Sequence, residues 1–279
     1  MINNYMTQKN EEIEKNIALA KELRKDVLDM IYKTKSSHIG SSLSMVDLFV
    51  VLYFSILNIN SENTLDKSRD RLLLSKGHGC ATLFAALTKK GLIKREDLET
   101  FALDGSFLGQ HPNMDAKKGI EITSGSLGHG LSIGAGMALA GKYDGEKYRV
   151  FVYLGDGELN EGSVWESALF AAHHGLDNLI AIIDRNKLQA LGKGEDIMNL
   201  EPLSDKWKSF GWETKEIDGH NMEEIMDTFK NITSEKGKPV CIVANTVKGK
   251  GISFMENDFR WHDKCPNEEE YQKALKELQ

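Results

Sequence analysis

Asp156 and Asn186 stand 30 positions apart, and each follows an apolar run of β type. The first run, 148–154, ends in Gly155-Asp156-Gly157; the second, 179–183, ends in Asp184-Arg185-Asn186. A helical run separates them, so they read as a β-α-β unit. Parallel strands bring both carboxyl ends to one sheet edge, where open α/β sheets bind ligands. A carboxylate, an amide oxygen and a main-chain carbonyl near Leu188 form a set of hard oxygen donors. Beside a glycine turn and a helix N-terminus, that set suits a divalent cation holding phosphate oxygens. Phosphate and water oxygens would complete the six-coordinate shell that magnesium prefers.

Other loops carry residues of the same kind. Leu72-Leu73-Leu74 stops at Ser75-Lys76-Gly77-His78-Gly79, ahead of an apolar helix over 81–87. So placed, His78 can donate to a phosphate. His38 lies in a loop of small residues, 36–42, and His111 in a turn-rich stretch, 104–115. The glycine-rich loop 123–130 leads into a helix whose Gly134, Ala135 and Ala138 let another backbone come close. Lys248-Gly249-Lys250-Gly251 follows a strand over 240–244, with His262 further on. Each feature alone has a plain explanation in packing, capping or solvation. Together, five of these loops, at His38, 75–79, 125–130, 155–160 with Asn186, and 248–262, are better explained by one shared site. The pattern GxxxxGK[ST] of a P-loop is absent. A dinucleotide fingerprint fits poorly, because Asn160 stands where its third glycine belongs. It would also put Asp156 against a pyrophosphate, which makes sense only with a metal between them.

The elements that position these loops follow from periodicity. Ile13, Ile17, Ala20, Leu23, Val27 and Ile31 mark an amphipathic helix over 11–34. A second helix is expected over 45–57, with Ser44 as its cap and Asp47 in its first turn. Beyond Gln189 come a flexible stretch (192–196), a short helix (204–210) and a strand (212–217). Asp218-Gly219-His220-Asn221 then leads to a helix over 222–233, and a charged helix over 267–279 closes the chain. The fold class is α/β, a parallel sheet flanked by helices, expected as one domain over residues 1–279.

A length of 279 residues allows one large α/β domain or two small ones, and no linker separates two here. The apolar share of 41% and charged share of 28% are ordinary for a globular protein. A net charge of −7 argues against nucleic acid as a partner. Cys80, Cys241 and Cys265 lack zinc-type spacing and read as free thiols in a reducing compartment. No apolar run spans a bilayer and the N-terminus has no signal pattern, so the expected location is the cytoplasm, with no membrane partner.

The pair GDGELNEG and IDRNKLQ resembles the thiamin diphosphate motif, a GDG followed about thirty residues later by an asparagine. With SSHIGSSLSM, SKGHG, GQHPN, TSGSLGHG and KGKG in that order, the chain resembles the N-terminal half of transketolase over roughly residues 15–265. The resemblance implies a thiamin diphosphate-binding domain that uses Mg2+, or Ca2+ or Mn2+. Asp156, Asn186 and the carbonyl of Leu188 are implied as metal ligands. His78, Gly125, Leu127, Gly157, Glu158 and Asn186 are implied at the cofactor. His38 and His111 match histidines that bind sugar hydroxyls and assist proton transfer, and His262 is implied as a further catalytic residue near the diphosphate or the substrate. Glu161, with Glu166, matches glutamates at the interface between two active sites; favourable charge in a helix first turn explains them equally well. Three features depart from the family: Arg185 precedes Asn186 where an asparagine is usual, His129 replaces a common glutamine, and ISFMENDFRW precedes His262.

Long transketolases also carry a pyrimidine-binding domain, with the glutamate that activates the cofactor, and a further C-terminal domain. The resemblance therefore implies one half of a split enzyme. Its partner would be a separate C-terminal subunit, in a heterotetramer with two of each chain. The implied reaction moves a two-carbon ketol unit from a ketose phosphate to an aldose phosphate. The alternatives are a subunit of another thiamin diphosphate enzyme (2-oxo acid dehydrogenase α or 1-deoxyxylulose-phosphate synthase-like), a non-catalytic thiamin diphosphate-binding module, and a magnesium-dependent phosphotransferase or hydrolase.

Overall fold

In the computed structural model, which describes residues 2–232 and 237–279, the apolar runs become parallel strands. They are β1 (Arg71–Leu74), β2 (Val150–Gly155), β3 (Leu179–Arg185), β4 (Glu213–Asp218) and β5 (Val240–Asn245), in the spatial order β1-β2-β3-β5-β4. Every pairing is parallel. The helices are α1 (Ile2–Thr34), α2 (Ile39–Leu43), α3 (Val46–Val51), α4 (Cys80–Lys89) and α5 (Gly130–Asp144). After these come α6 (Gly162–His173), α7 (Gly194–Ile197), α8 (Leu203–Ser209), α9 (Met222–Lys230) and α10 (Glu268–Glu277).

The sheet divides the core in two because successive strand side chains point to opposite faces. Phe151, Tyr153, Ile180, Ile182 and Ile242 face the cluster that holds Leu23, Val27 and Phe49. Val150, Val152, Ala181, Ile183 and Val243 face the cluster that holds Leu131, Val164 and Trp207. Burial on both faces is why β2, β3 and β5 read as continuous apolar runs rather than alternating ones. Each fully buried isoleucine of β3 contributes roughly 1.5–3 kcal/mol. The small residues of α5 serve this packing: a Cβ on Gly134 would stand 2.4 Å from a methyl of Val152. Among the described residues, no helix is long and apolar enough to cross a membrane.

Several boundaries differ from the sequence expectation. The N-terminal helix begins at Ile2, well before residue 11. The loop of small residues holds α2. The helix expected over 45–57 is α3 followed by a π-helical turn, Leu52–Ile56. Ser44 does not cap it; its hydroxyl donates to the Ser41 carbonyl (3.0 Å) and to Asp184 (2.7 Å). A cap is needed only where the backbone enters a helix, and here helical geometry runs through Ser44 and Met45. The 192–196 stretch contains most of α7. The helix expected over 222–233 stops at Lys230, and Thr233 lies outside the described residues. The last helix is α10, with Asn267 and Glu270 forming a capping box.

Candidate active site

β2 and β3 pair so that Gly155 lies opposite Asp184. This register puts Asp156 and Asn186 on the same edge of the sheet. Both line a cleft of about 820 Å³, with Gly157, Leu188 and Gln189. The Asp156 carboxylate accepts from the main-chain N–H of Gly157 (2.8 Å) and of Lys187 (2.5 Å). No cationic side chain is hydrogen-bonded to it among the described residues. Burial, and then the neighbouring Asp184 carboxylate, raise its pKa from 3.8 to about 6. The Asn186 side-chain oxygen accepts from the Leu188 N–H (3.1 Å), and the Leu188 carbonyl accepts from Lys248 Nζ (3.3 Å).

These groups fit a divalent cation and a diphosphate. Negative charge without a cationic partner suits a metal ion, and the three donors are all hard oxygens. Among the described residues no group of three His, Cys, Asp or Glu side chains could hold a metal. A cation held at Asp156 would therefore need the amide, the carbonyl and oxygens of its ligand as well. A Cβ on Gly157 would stand 3.1 Å from the Gln189 side chain, so a larger residue here would press on that side chain. The buried Gln189 Nε2 has no hydrogen-bond partner, which leaves an N–H donor for an anionic oxygen.

Behind the cleft lies a buried ion pair. Lys76 Nζ stands 2.5 Å from Asp184, with both side chains almost fully buried. Asp184 also accepts from the hydroxyls of Ser44 and Thr246, and Lys76 donates to the Ser41 carbonyl (3.1 Å). Burial works against ionising Asp184, but the Lys76 ammonium and the donors outweigh it and hold its pKa below 3.8. Neither residue was among the candidates from sequence. The signal was present: a lysine and an aspartate at the ends of buried apolar runs must find partners.

Four histidines from four loops converge. The His38 ring lies 5.5 Å from His78, 5.8 Å from His111 and 5.2 Å from His262, centroid to centroid, and His78 lies 5.2 Å from His262. His38 has left-handed backbone (φ 72°), a strained conformation that sets its direction at the start of α2. Burial lowers all four pKa values, that of His38 to about 4 and that of His262 to about 3, and His78 falls far below its ordinary value. At neutral pH all four rings are uncharged and can exchange protons with hydroxyl groups. Lys248 Nζ lies 3.0 Å from His262 Nδ1, and burial followed by repulsion from Lys76 lowers its pKa to about 8. The lysine thus bridges the oxygen donors and the histidines. Its KGKG stretch was visible in sequence; its contacts were not.

The remaining candidates are placed differently. Gly125 lies against the His111 ring, and Leu127 is half-buried in the same loop. Glu158 is buried; its carboxylate accepts from the Gly128 N–H (2.9 Å), the Gly155 N–H (3.0 Å) and the Ser75 hydroxyl. It ties three loops together and does not line the cleft. Glu161, just ahead of α6, and Glu166 on it, near the exposed Leu169 and Phe170, are exposed, and neither lines the cleft.

A family model described as transketolase, thiamine diphosphate binding domain, matches residues 15–278. The chain is 43% identical over 255 residues to an apulose-4-phosphate transketolase subunit of Phocaeicola vulgatus, covering 91% of this chain and 90% of the relative. It is 43% identical over 257 residues to a 6-deoxy-6-sulfo-D-fructose transketolase subunit of Clostridium sp., covering 92% and 94%. Among solved structures, transketolase from Leishmania mexicana superposes with a TM-score of 0.86 at 29% identity, over 95% of this chain and 41% of that one. Transketolase from Campylobacter jejuni gives 0.85 at 31% identity, over 93% and 42%. The chain therefore spans about two-fifths of these solved transketolases.

Proposed function

This chain belongs to the transketolase family through its thiamine diphosphate-binding domain, and from that premise we propose that it is the cofactor-anchoring subunit of a two-chain transketolase. The reaction is transfer of a two-carbon ketol unit from a ketose phosphate to an aldose phosphate. When bound, thiamin diphosphate supplies the carbon nucleophile that amino-acid side chains lack. Asp156, Asn186 and the Leu188 carbonyl hold a divalent cation, magnesium foremost, with calcium or manganese able to replace it. Gly157, Gln189, Lys248 and His78 receive the diphosphate, and Gly125 and Leu127 line the cofactor. Glu158 keeps the three loops in register. The neutral rings of His38, His111 and His262 bind sugar hydroxyls and move protons at those oxygens.

The named relatives carry a sugar phosphate and a sulfonated sugar in their names. By that likeness, the donor is a ketose with a terminal anion. The partner is a C-terminal subunit with the pyrimidine-binding domain. The outer face of α6, with Glu161, Glu166, Leu169 and Phe170, meets a second copy, and the assembly is a heterotetramer in the cytoplasm. Residues 1–279 act as one domain.

The carrying observation is that Lys248 joins the Asp156–Asn186–Leu188 oxygen set to the histidine cluster. The test is calorimetric titration with thiamin diphosphate, with magnesium and with chelator, then ketol transfer with and without the second chain. Metal-dependent binding and no turnover by this chain alone are expected. Turnover by the purified chain alone, above a metal-free control, would overturn the two-chain reading.

A further inference from the structure

Buried Arg24 on α1 and Asp47 on α3, with the half-buried His220 between β4 and α9, make a set outside the oxygen donors and the histidine cluster. Arg24 Nη1 and Nη2 donate to the two oxygens of Asp47 at 3.0 and 2.7 Å. His220 Nδ1 lies 2.7 Å from Asp47, and its Nε2 lies 2.8 Å from the main-chain nitrogen of Val247. A main-chain N–H can only donate, so Nε2 must accept. The proton then sits on Nδ1 and is donated to Asp47, which leaves His220 neutral in one tautomer. An imidazolium would turn an N–H against the Val247 N–H.

Both ends of this set grip one turn. His220 takes the N–H of Val247, and Arg24 Nε donates to the Lys250 carbonyl at 3.0 Å. Lys248 lies between those points. From inside the fold the same turn is held by Gly249 N–H on the Gly40 carbonyl (3.0 Å) and by Asn257 N–H on the Lys248 carbonyl (2.9 Å). A lysine side chain has many rotamers, so its ammonium is aimed only if its backbone is fixed. Here the ammonium reaches the Leu188 carbonyl, the Gln189 carbonyl (3.5 Å) and His262. Burying a charged pair is a poor route to stability, which favours a positioning role for this one.

We propose that Arg24, Asp47 and His220 are positioning residues that clamp residues 247–250 from outside and aim Lys248, thereby setting the affinity for the cofactor diphosphate. This rests on the cofactor reading above, so the experiment separates the two. The first measurement needs no cofactor: the imidazole nitrogen shifts of His220, by NMR of the 15N-histidine-labelled chain at pH 7. A protonated Nδ1 with a bare Nε2 is expected. A protonated Nε2 or an imidazolium overturns the clamp, and no variant has to fold.

The second measurement is thiamin diphosphate–magnesium titration of the wild type, His220→Gln and His220→Asn. Glutamine can place an oxygen where Nε2 accepts from Val247. Asparagine keeps the donor to Asp47 and abandons Val247. Loss of one buried hydrogen bond predicts a dissociation constant raised about tenfold in His220→Asn and by less than about threefold in His220→Gln. Equal weakening in both, or none in His220→Asn, overturns the proposal. A wild type that binds no cofactor sinks the cofactor reading, while the nitrogen shifts still decide the clamp.

Discussion

Asp156 and Asp184 end neighbouring strands, one residue out of register, and their surroundings are opposite. Asp184 is sealed off, paired with Lys76 and bonded to two hydroxyls. Asp156 faces a cleft and is bonded only to main-chain N–H groups among the described residues. Accordingly the Asp184 pKa is held below 3.8, while that of Asp156 rises to about 6. Identical side chains thus have two surroundings: the paired charge ties the strand ends together, and the one without a cationic partner faces the cleft, where the proposed function would put a cation.

Changing either acid tests that contrast most strongly. Asp184→Asn strands the Lys76 ammonium in the core and should lower unfolding free energy by about 3–5 kcal/mol. A loss below about 1 kcal/mol in denaturant titration would erase the distinction. Asp156→Asn should leave the stability of the cofactor-free chain unchanged or higher, because a poorly solvated carboxylate is removed. The same substitution should weaken metal-dependent cofactor binding by at least about 100-fold, beyond the 10–100-fold typical of an outer-shell partner. Calorimetry showing near-normal binding would exclude Asp156 as the ligand.

Glu158→Gln tests the brace behind both acids. An amide can accept from two of the three donors but turns its NH2 on the third. A loss of about 1–3 kcal/mol is expected in thermal or chemical unfolding. Acid sharpens the comparison by sign. His38 and His262 have folded pKa values of about 4 and 3 against an ordinary 6.5, so the unfolded chain binds their protons first. They lose stability as pH falls from 6.5 towards 4. Asp156 has a folded pKa of about 6 against 3.8, so it gains stability over much of the same interval. Stability of Asp156→Asn should therefore fall more steeply between pH 6 and 4 than that of the wild type. Parallel curves would mean that Asp156 does not titrate there. The smallest effect is expected at exposed Glu161: Glu161→Ala should change the unfolding free energy of the chain by less than about 0.5 kcal/mol. Under the interface reading it should still loosen self-association, seen by sedimentation.

Legibility followed from how locally each feature is encoded. The runs at β2, β3 and β5 were readable because burial on both faces demands continuous apolar sequence. Asp156 and Asn186 were readable as a pair because a parallel crossover puts two strand ends on one edge whatever the rest of the fold does. Ser44 was misread because a serine ahead of an apolar helix looks like a cap, and its hydroxyl instead bonds an aspartate 140 positions away. The resemblance implied Glu158 at the cofactor; that its side chain points into the space between three loops could be seen only in the packed chain.

Local pattern alone thus determined the parallel α/β class, the oxygen donors at two strand ends and the histidine-bearing loops. Tertiary structure decided the strand order, the pairing of Lys76 with Asp184, the meeting of His38, His78, His111 and His262, and the reach of Lys248. Periodicity and turn residues report the state of the chain within a few residues. A buried charge or an imidazole takes its protonation and its partner from segments that only packing brings within a few ångströms.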